Sequence, residues 1–206
     1  HHGRYAFDQQ PNIGLWNLTC LAQALTPLIP VDEAKHCLEQ YETAFIDHYL
    51  QLMRNKLGFK QATQQTHELT QNLLQLMHDN HSDYTRLFRA LCDFNSEEDA
   101  LNAPLRDLFI DRQAFDNWAT SYKSCLQNEN SDDRLRQRQM KQTNPKFILR
   151  NYLAQIAIDK AKQKDFSVLE ELLRLLKDPY AEHPELEHYA AEPPDWANDI
   201  QVSCSS

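Results

Sequence analysis

Glycine is nearly missing from this chain. Gly3, Gly14 and Gly58 are the only ones in 206 residues, where average usage of roughly 7% would supply about 14. Hairpin turns of types I′ and II′ need residues with positive φ, and phosphate-cradling loops need backbone without a Cβ. The scarcity therefore removes the raw material of strand-rich folds and of glycine-rich nucleotide loops, and no GxGxxG or GxxxxGK[ST] pattern occurs. Long apolar runs are also lacking: no stretch of 18 apolar residues exists, so no membrane-spanning helix is predicted. The opening His1-His2-Gly3-Arg4 carries no apolar signal-peptide core. Cysteine pairs are missing too. Cys20, Cys37, Cys92, Cys125 and Cys204 form an odd set without a CxxC, the usage of a reducing compartment, and the expected location is cytoplasmic.

What is present is the composition of a folded chain. Hydrophobic residues make up 41% and charged residues 25%, unlike the charge-rich, aromatic-poor make-up of disorder. The net charge of −9 is uneven. Residues 1–130 hold 10 Lys+Arg against 17 Asp+Glu, residues 131–178 hold 11 against 7, and residues 179–206 hold 0 against 6. The basic excess in the middle lies on helices that also carry acids, without interleaved aromatics, so neither nucleic acid nor membrane is an expected partner.

Helical periodicity dominates the pattern. Leu15, Leu18, Leu21, Ala22 and Leu25 predict a helix over 13–26, ended by Pro27. A longer one follows Pro30 and runs to Leu57, with Leu38, Tyr41, Phe45, Tyr49 and Leu52 as its core stripe and Gly58 as its C-terminal cap. Thr63 and Ser82 are predicted to cap the next two helices across a turn at His78-Asp79-Asn80-His81. Ser96 with Asp99 suggests a short helix broken by Pro104, and Asp111 starts another through Phe115, Trp118 and Tyr122. The polar run 127–133 reads as an exposed loop and Ser131 as the following cap. Asn144-Pro145 reads as a cap and first helical position, Ser167 with Glu170 as a capping box, and Pro184 to Ala191 as two turns in a proline-rich tail. The expected fold is all-α, a bundle of eight or so helices with an irregular tail.

Candidate chemistry is sparse. His48, His78-Asp79 and Asp111 resemble the H…HD…D set of helical metal-dependent phosphohydrolases, since imidazole and carboxylate suit such metals, although the spacing suits solvated turn residues better. Cys20, Cys37, Cys92 and Cys125 fall in helical segments and read as small apolar fillers. Cys204 lies between serines three residues from the end, where a thiol is accessible for redox chemistry. Residues 1–17 combine Tyr5, Phe7, Trp16, Arg4 and Asp8 without a helical period. They are either a docking segment or an extended lead-in that covers the first helix.

Four blocks are recognisable: Gly3-Arg-Tyr-Ala-Phe-Asp-Gln-Gln-Pro11 with Gly14-Leu-Trp-Asn-Leu18, Asn144-Pro-Lys-Phe-Ile-Leu-Arg-Asn-Tyr-Leu-Ala-Gln155, Pro193-Pro-Asp-Trp-Ala197, and Ser203-Cys-Ser-Ser206. Together they resemble the C-terminal portion of the selenoprotein O family, also called YdiU or UPF0061. The resemblance implies a pseudokinase-like fold that transfers AMP from ATP to Ser, Thr or Tyr hydroxyls of proteins. It implies that residues 1–130 are the helical part of a kinase-like C-lobe with an N-terminal docking segment, and 131–206 a C-terminal helical extension with a Cys-containing tail. The Lys, Arg, Asn and Asp that hold ATP and Mg2+ or Mn2+ in the family precede the Gly3–Pro11 block. This chain is thus expected to bind no cofactor and to be structural and regulatory, with a nucleotide-binding lobe and protein substrates as partners. Arg4 and Asp8 would support the active-site loop, and Cys204 matches a position that is selenocysteine or cysteine in the family. The alternatives are a free-standing helical interaction module and a metal phosphohydrolase.

Overall fold

The structure, a computed structural model, describes Ala6 and residues 9–200. Among them are nine α-helices, two 3₁₀ segments and no strand, the all-α architecture expected from the periodicity. The chain divides into two compact units, residues 1–53 and 54–206.

In the first unit, α1 spans Gln10–Ala24 and α2 begins at Val31, running to Leu57. α1 starts three residues before the predicted boundary because Pro11 sits in its first turn, where its missing N–H costs nothing. Residues 10–17 are therefore helical rather than an extended lead-in. The Tyr41 hydroxyl of α2 donates to Pro11 O at 3.1 Å. Gly14 permits that approach, since a Cβ there would stand 2.6 Å from the tyrosine oxygen. The expected core stripe of α2 is present but not buried. Tyr41, Phe45 and Tyr49 stack along the helix at 6.1 and 6.5 Å, yet Phe45, Tyr49 and Leu52 are exposed, and α1 has no buried residue. Helical spacing makes the stripe, but burial needs a covering surface as well.

The second unit is built around α3 (Gln64–Asp79) and α6 (Arg112–Asn128), with α4 (Tyr84–Leu91), α5 (Ala103–Arg106) and α7 (Asp133–Thr143) packed about them. Leu69, Leu73 and Met77 of α3 meet a face of α6 made of Phe115, Trp118, Tyr122 and Leu126, all buried. Trp118 stacks on Tyr122 at 4.8 Å and donates its indole N–H to Leu69 O. Gly58, after α2, takes φ 72°. A Cβ at Gly58 would lie 2.6 Å from the Arg136 side chain, so the expected glycine cap is also a packing requirement.

Several local readings are displaced by neighbouring groups. Asp83, not Ser82, caps α4, accepting Arg86 N at 2.9 Å, while Ser82 Oγ turns to Leu108 O. Ser96 caps no helix; its N–H and hydroxyl both bind Asp133. Pro104 opens α5 instead of breaking a helix. The 127–133 run is mostly exposed, but Asp132 rather than Ser131 caps α7. Asn144-Pro145 starts nothing. Pro145 forces Asn144 out of the helical region, to φ −102° and ψ 104°, so α7 ends there. Lys146 and Phe147 then donate their N–H groups to Pro179 O, and α8 begins only at Asn151, running to Lys162. Ser167 lies inside α9 (Ser167–Lys177), bonded back to Asp165 rather than forward to Glu170.

α8 and α9 pack as a hairpin, and the tail folds over one of its faces. Phe147, Tyr152, Leu153, Ala157, Leu172 and Leu175 form a cluster closed by Leu186 and Tyr189. The two turns expected at Pro184–Ala191 are a 3₁₀ segment, Pro184–Ala190, and a second spans Asp195–Asp199.

Candidate functional site

The residues singled out for chemistry fall in three groups. Arg4, Asp8 and Cys204 lie outside the described residues. His48, His78, Asp79 and Asp111 are exposed and bound locally: Asp79 accepts from Gln75, and Asp111 caps α6 through Ala114 N. Among the described residues no three His, Cys, Asp or Glu side chains converge on a position that could hold a metal ion. Cys92 and Cys125 are buried fillers as expected, whereas Cys20 and Cys37 are exposed. Burial pushes the Cys92 thiol up, so it is a poor nucleophile.

The polar architecture of the second unit is concentrated on the segment 144–150, which the sequence presented as a helix start. Asn144 is fully buried. Its Oδ1 accepts from Lys56 Nζ at 3.1 Å and its Nδ2 donates to Lys56 O at 2.8 Å, with Cys92 Sγ at 3.6 Å. One amide thereby gives the ammonium an acceptor and the Lys56 carbonyl, near the end of α2, a donor. Lys56 also lies 5.0 Å from the centre of the Phe88 ring and 5.4 Å from that of Tyr84, a setting in which ring quadrupoles stand in for a carboxylate. Burial lowers its affinity for the proton.

Six residues on, Arg150 makes a two-pronged pair with Asp83 at 2.7 and 3.0 Å, both side chains largely buried. This explains why Asp83 displaces Ser82 as the cap: a carboxylate can serve Arg86 N and the guanidinium at once. Burial would raise the Asp83 pKa, but these donors outweigh it and hold the carboxyl below the usual range. Tyr152, next on α8, meets Trp196 edge to face at 5.9 Å, joining two of the recognisable blocks.

A second joint fastens the tail. Glu182 accepts from Arg89 at 2.6 Å and from Lys146 at 3.0 Å, with Lys141 at 3.6 Å. Burial opposes its charge, yet these cations pull its pKa down to about 2. Arg89 also donates to Lys141 O, Asn144 O and Tyr180 O. Below them, Arg136 is 2% exposed and paired with Asp133 at 2.6 Å, its other nitrogen on Phe94 O.

These cations hold helix ends and the tail. None has a linear signal. Lys56 and Asn144 are 88 residues apart, and an asparagine before a proline reads as a cap.

The model of the family described as protein adenylyltransferase SelO matches residues 1–177. Proteins named protein nucleotidyltransferase YdiU are 48% identical over 204 residues in Myxococcus xanthus, 50% over 206 in Pectobacterium carotovorum and 51% over 205 in Thiobacillus denitrificans. These alignments take in 99% or more of this chain but 42% of each relative, so the chain spans well under half the length of the curated relatives it matches. With the match extending through all nine of the α-helices described, this chain belongs to the protein adenylyltransferase SelO family.

Proposed function

We propose that this chain is the C-terminal portion of a protein adenylyltransferase, and that its own task is to support and regulate a nucleotide site carried by preceding polypeptide. The observation that carries the reading is the match of the whole chain, at about half identity, to less than half of proteins named as nucleotidyltransferases. The whole protein would transfer AMP from ATP to Ser, Thr or Tyr hydroxyls of proteins in the cytoplasm, with Mg2+ or Mn2+. Residues 1–130 would complete a kinase-like C-lobe and residues 131–206 would extend it. Phosphoryl-type transfer needs a metal ion and cations aimed at the triphosphate. The cations described here are otherwise occupied: Lys56, Arg89, Arg136, Lys146 and Arg150 each hold a helix end or the tail. Arg4 and Asp8 would buttress the active-site loop.

The test is transfer of label from α-labelled ATP to protein. The full-length protein is expected to label protein hydroxyls and the 206-residue chain to label nothing. No transfer by the full-length protein, or transfer by this chain alone, contradicts the reading. Cys204 would be the regulatory thiol, forming a reversible disulfide with a cysteine near the active-site loop under an oxidant such as a peroxide. In the full-length protein Cys204→Ser is expected to abolish an oxidant-dependent change in transfer rate. An equal response in the variant removes Cys204 from the proposal.

A further inference from the structure

The α8–α9 hairpin has two apolar faces, and only one is covered. Leu153, Ala157, Leu172 and Leu175 are sealed beneath Leu186 and Tyr189 of the tail. On the other face Leu149, Ile158, Leu169 and Leu173 are 53%, 51%, 49% and 53% exposed. They line a groove of about 280 Å3 whose walls are leucine, isoleucine and alanine throughout. A lone exposed leucine is ordinary, but a continuous aliphatic groove is disfavoured in water by roughly 25 cal/mol per Å2 and marks a site of contact.

Among the described residues of the second unit this face is left open. The tail's apolar side chains already occupy the opposite face, and residues 201–206 contain Val202 as their one aliphatic residue. More than half of each relative's polypeptide lies outside this chain and is the source proposed for the cover. Walls without a charged side chain suit a permanent interface better than a transient one.

We propose that the α8–α9 groove seats an amphipathic helix from the part of the full-length polypeptide outside these 206 residues, through leucine- or isoleucine-type side chains spaced three and four apart. The hairpin is then gripped on both faces, by the tail on one side and by the remainder of the protein on the other. This seating rests on the proposed reading of the chain as one portion of a longer protein and holds whatever reaction that protein catalyses.

The experiment is site-specific alkylation. Ile158→Cys and Leu173→Cys are introduced separately into this chain and into the full-length protein, treated with N-ethylmaleimide under native conditions, and followed by peptide mass spectrometry. Lys162→Cys, at a position 68% exposed beside the groove, calibrates access to reagent. The expected result is at least tenfold slower reaction at 158 and 173 in the full-length protein, with rates in this chain independent of its concentration. Equal rates in the two proteins overturn the proposal. Slowing in this chain alone that grows with concentration also overturns it and assigns the groove to a second copy. Hydrogen exchange over residues 169–176 of the unsubstituted proteins gives the same comparison without a variant. Added protection only in the full-length protein supports the seating, and none refutes it.

Discussion

Lys56 and Asn144 show how much a single side chain decides here. The ammonium is half-buried, has two aromatic rings for neighbours and donates to Asn144 Oδ1. Asn144→Ala would leave that ammonium and the Lys56 carbonyl without their partner and open a small void beside Cys92. An unsatisfied buried polar group costs about 1–3 kcal/mol, so a loss of about 2–3 kcal/mol is expected in urea unfolding of the variant. A change below about 0.5 kcal/mol, the range of ordinary surface substitutions, would show that the joint is ornamental. Such joints could not be read in advance, because the two partners are separated by 88 residues and each alone has a cheaper local meaning. Asn144 before a proline looks like a cap, and Lys56 in the last turn of α2 looks like a solvated complement to the helix dipole.

Elements were far more legible than joints. Periodicity and local caps place α2, α3, α6 and α9 nearly where they lie, because Thr63, Asp111 and Gly58 act on their own backbone within a turn. The misplacements share one cause: a competing partner from elsewhere in the fold. Arg150 recruits Asp83 ahead of Ser82, Asp133 takes Ser96, and Pro179 O draws Lys146 and Phe147 out of a helix. The tail was legible only as an acidic, proline-rich run. Its attachment depends on Glu182, whose pKa falls from its ordinary 4.5 to about 2. A carboxyl with a lowered folded pKa contributes stability above its unfolded pKa, and that stability is lost as pH falls toward the folded value. The side chain is half exposed, so solvent screening limits the effect to about 1 kcal/mol or less. Glu182→Gln should therefore lower the thermal midpoint most at neutral pH, with the difference from wild type closing between pH 4.5 and about 2. A pH-independent difference would mean that packing, not charge, makes the joint.

At the scale of the whole molecule the fold is all-α, as the shortage of glycine and the helical periodicity required, but its apolar surface is not fully used. The α1–α2 unit exposes Trp16, Leu21, Leu28 and the Phe45–Tyr49 stripe, and the α8–α9 hairpin exposes a second face. No helix among the described residues is long and apolar enough to cross a membrane, so these faces do not read as membrane spans. Both would find partners under the proposed reading of this chain, which spans 42% of the relatives it matches, as one portion of a longer protein. On that view the nucleotide is bound by polypeptide before the Gly3–Pro11 block, and the 206 residues buttress it. Thermal denaturation with and without ATP and Mg2+ or Mn2+ tests this most directly, because a ligand at 100 times its Kd stabilises its binding fold by about 2.7 kcal/mol. The expected result is no nucleotide-dependent shift for this chain and a shift of several degrees for the full-length protein. A saturable shift in the 206-residue chain alone would contradict the placement of the nucleotide site.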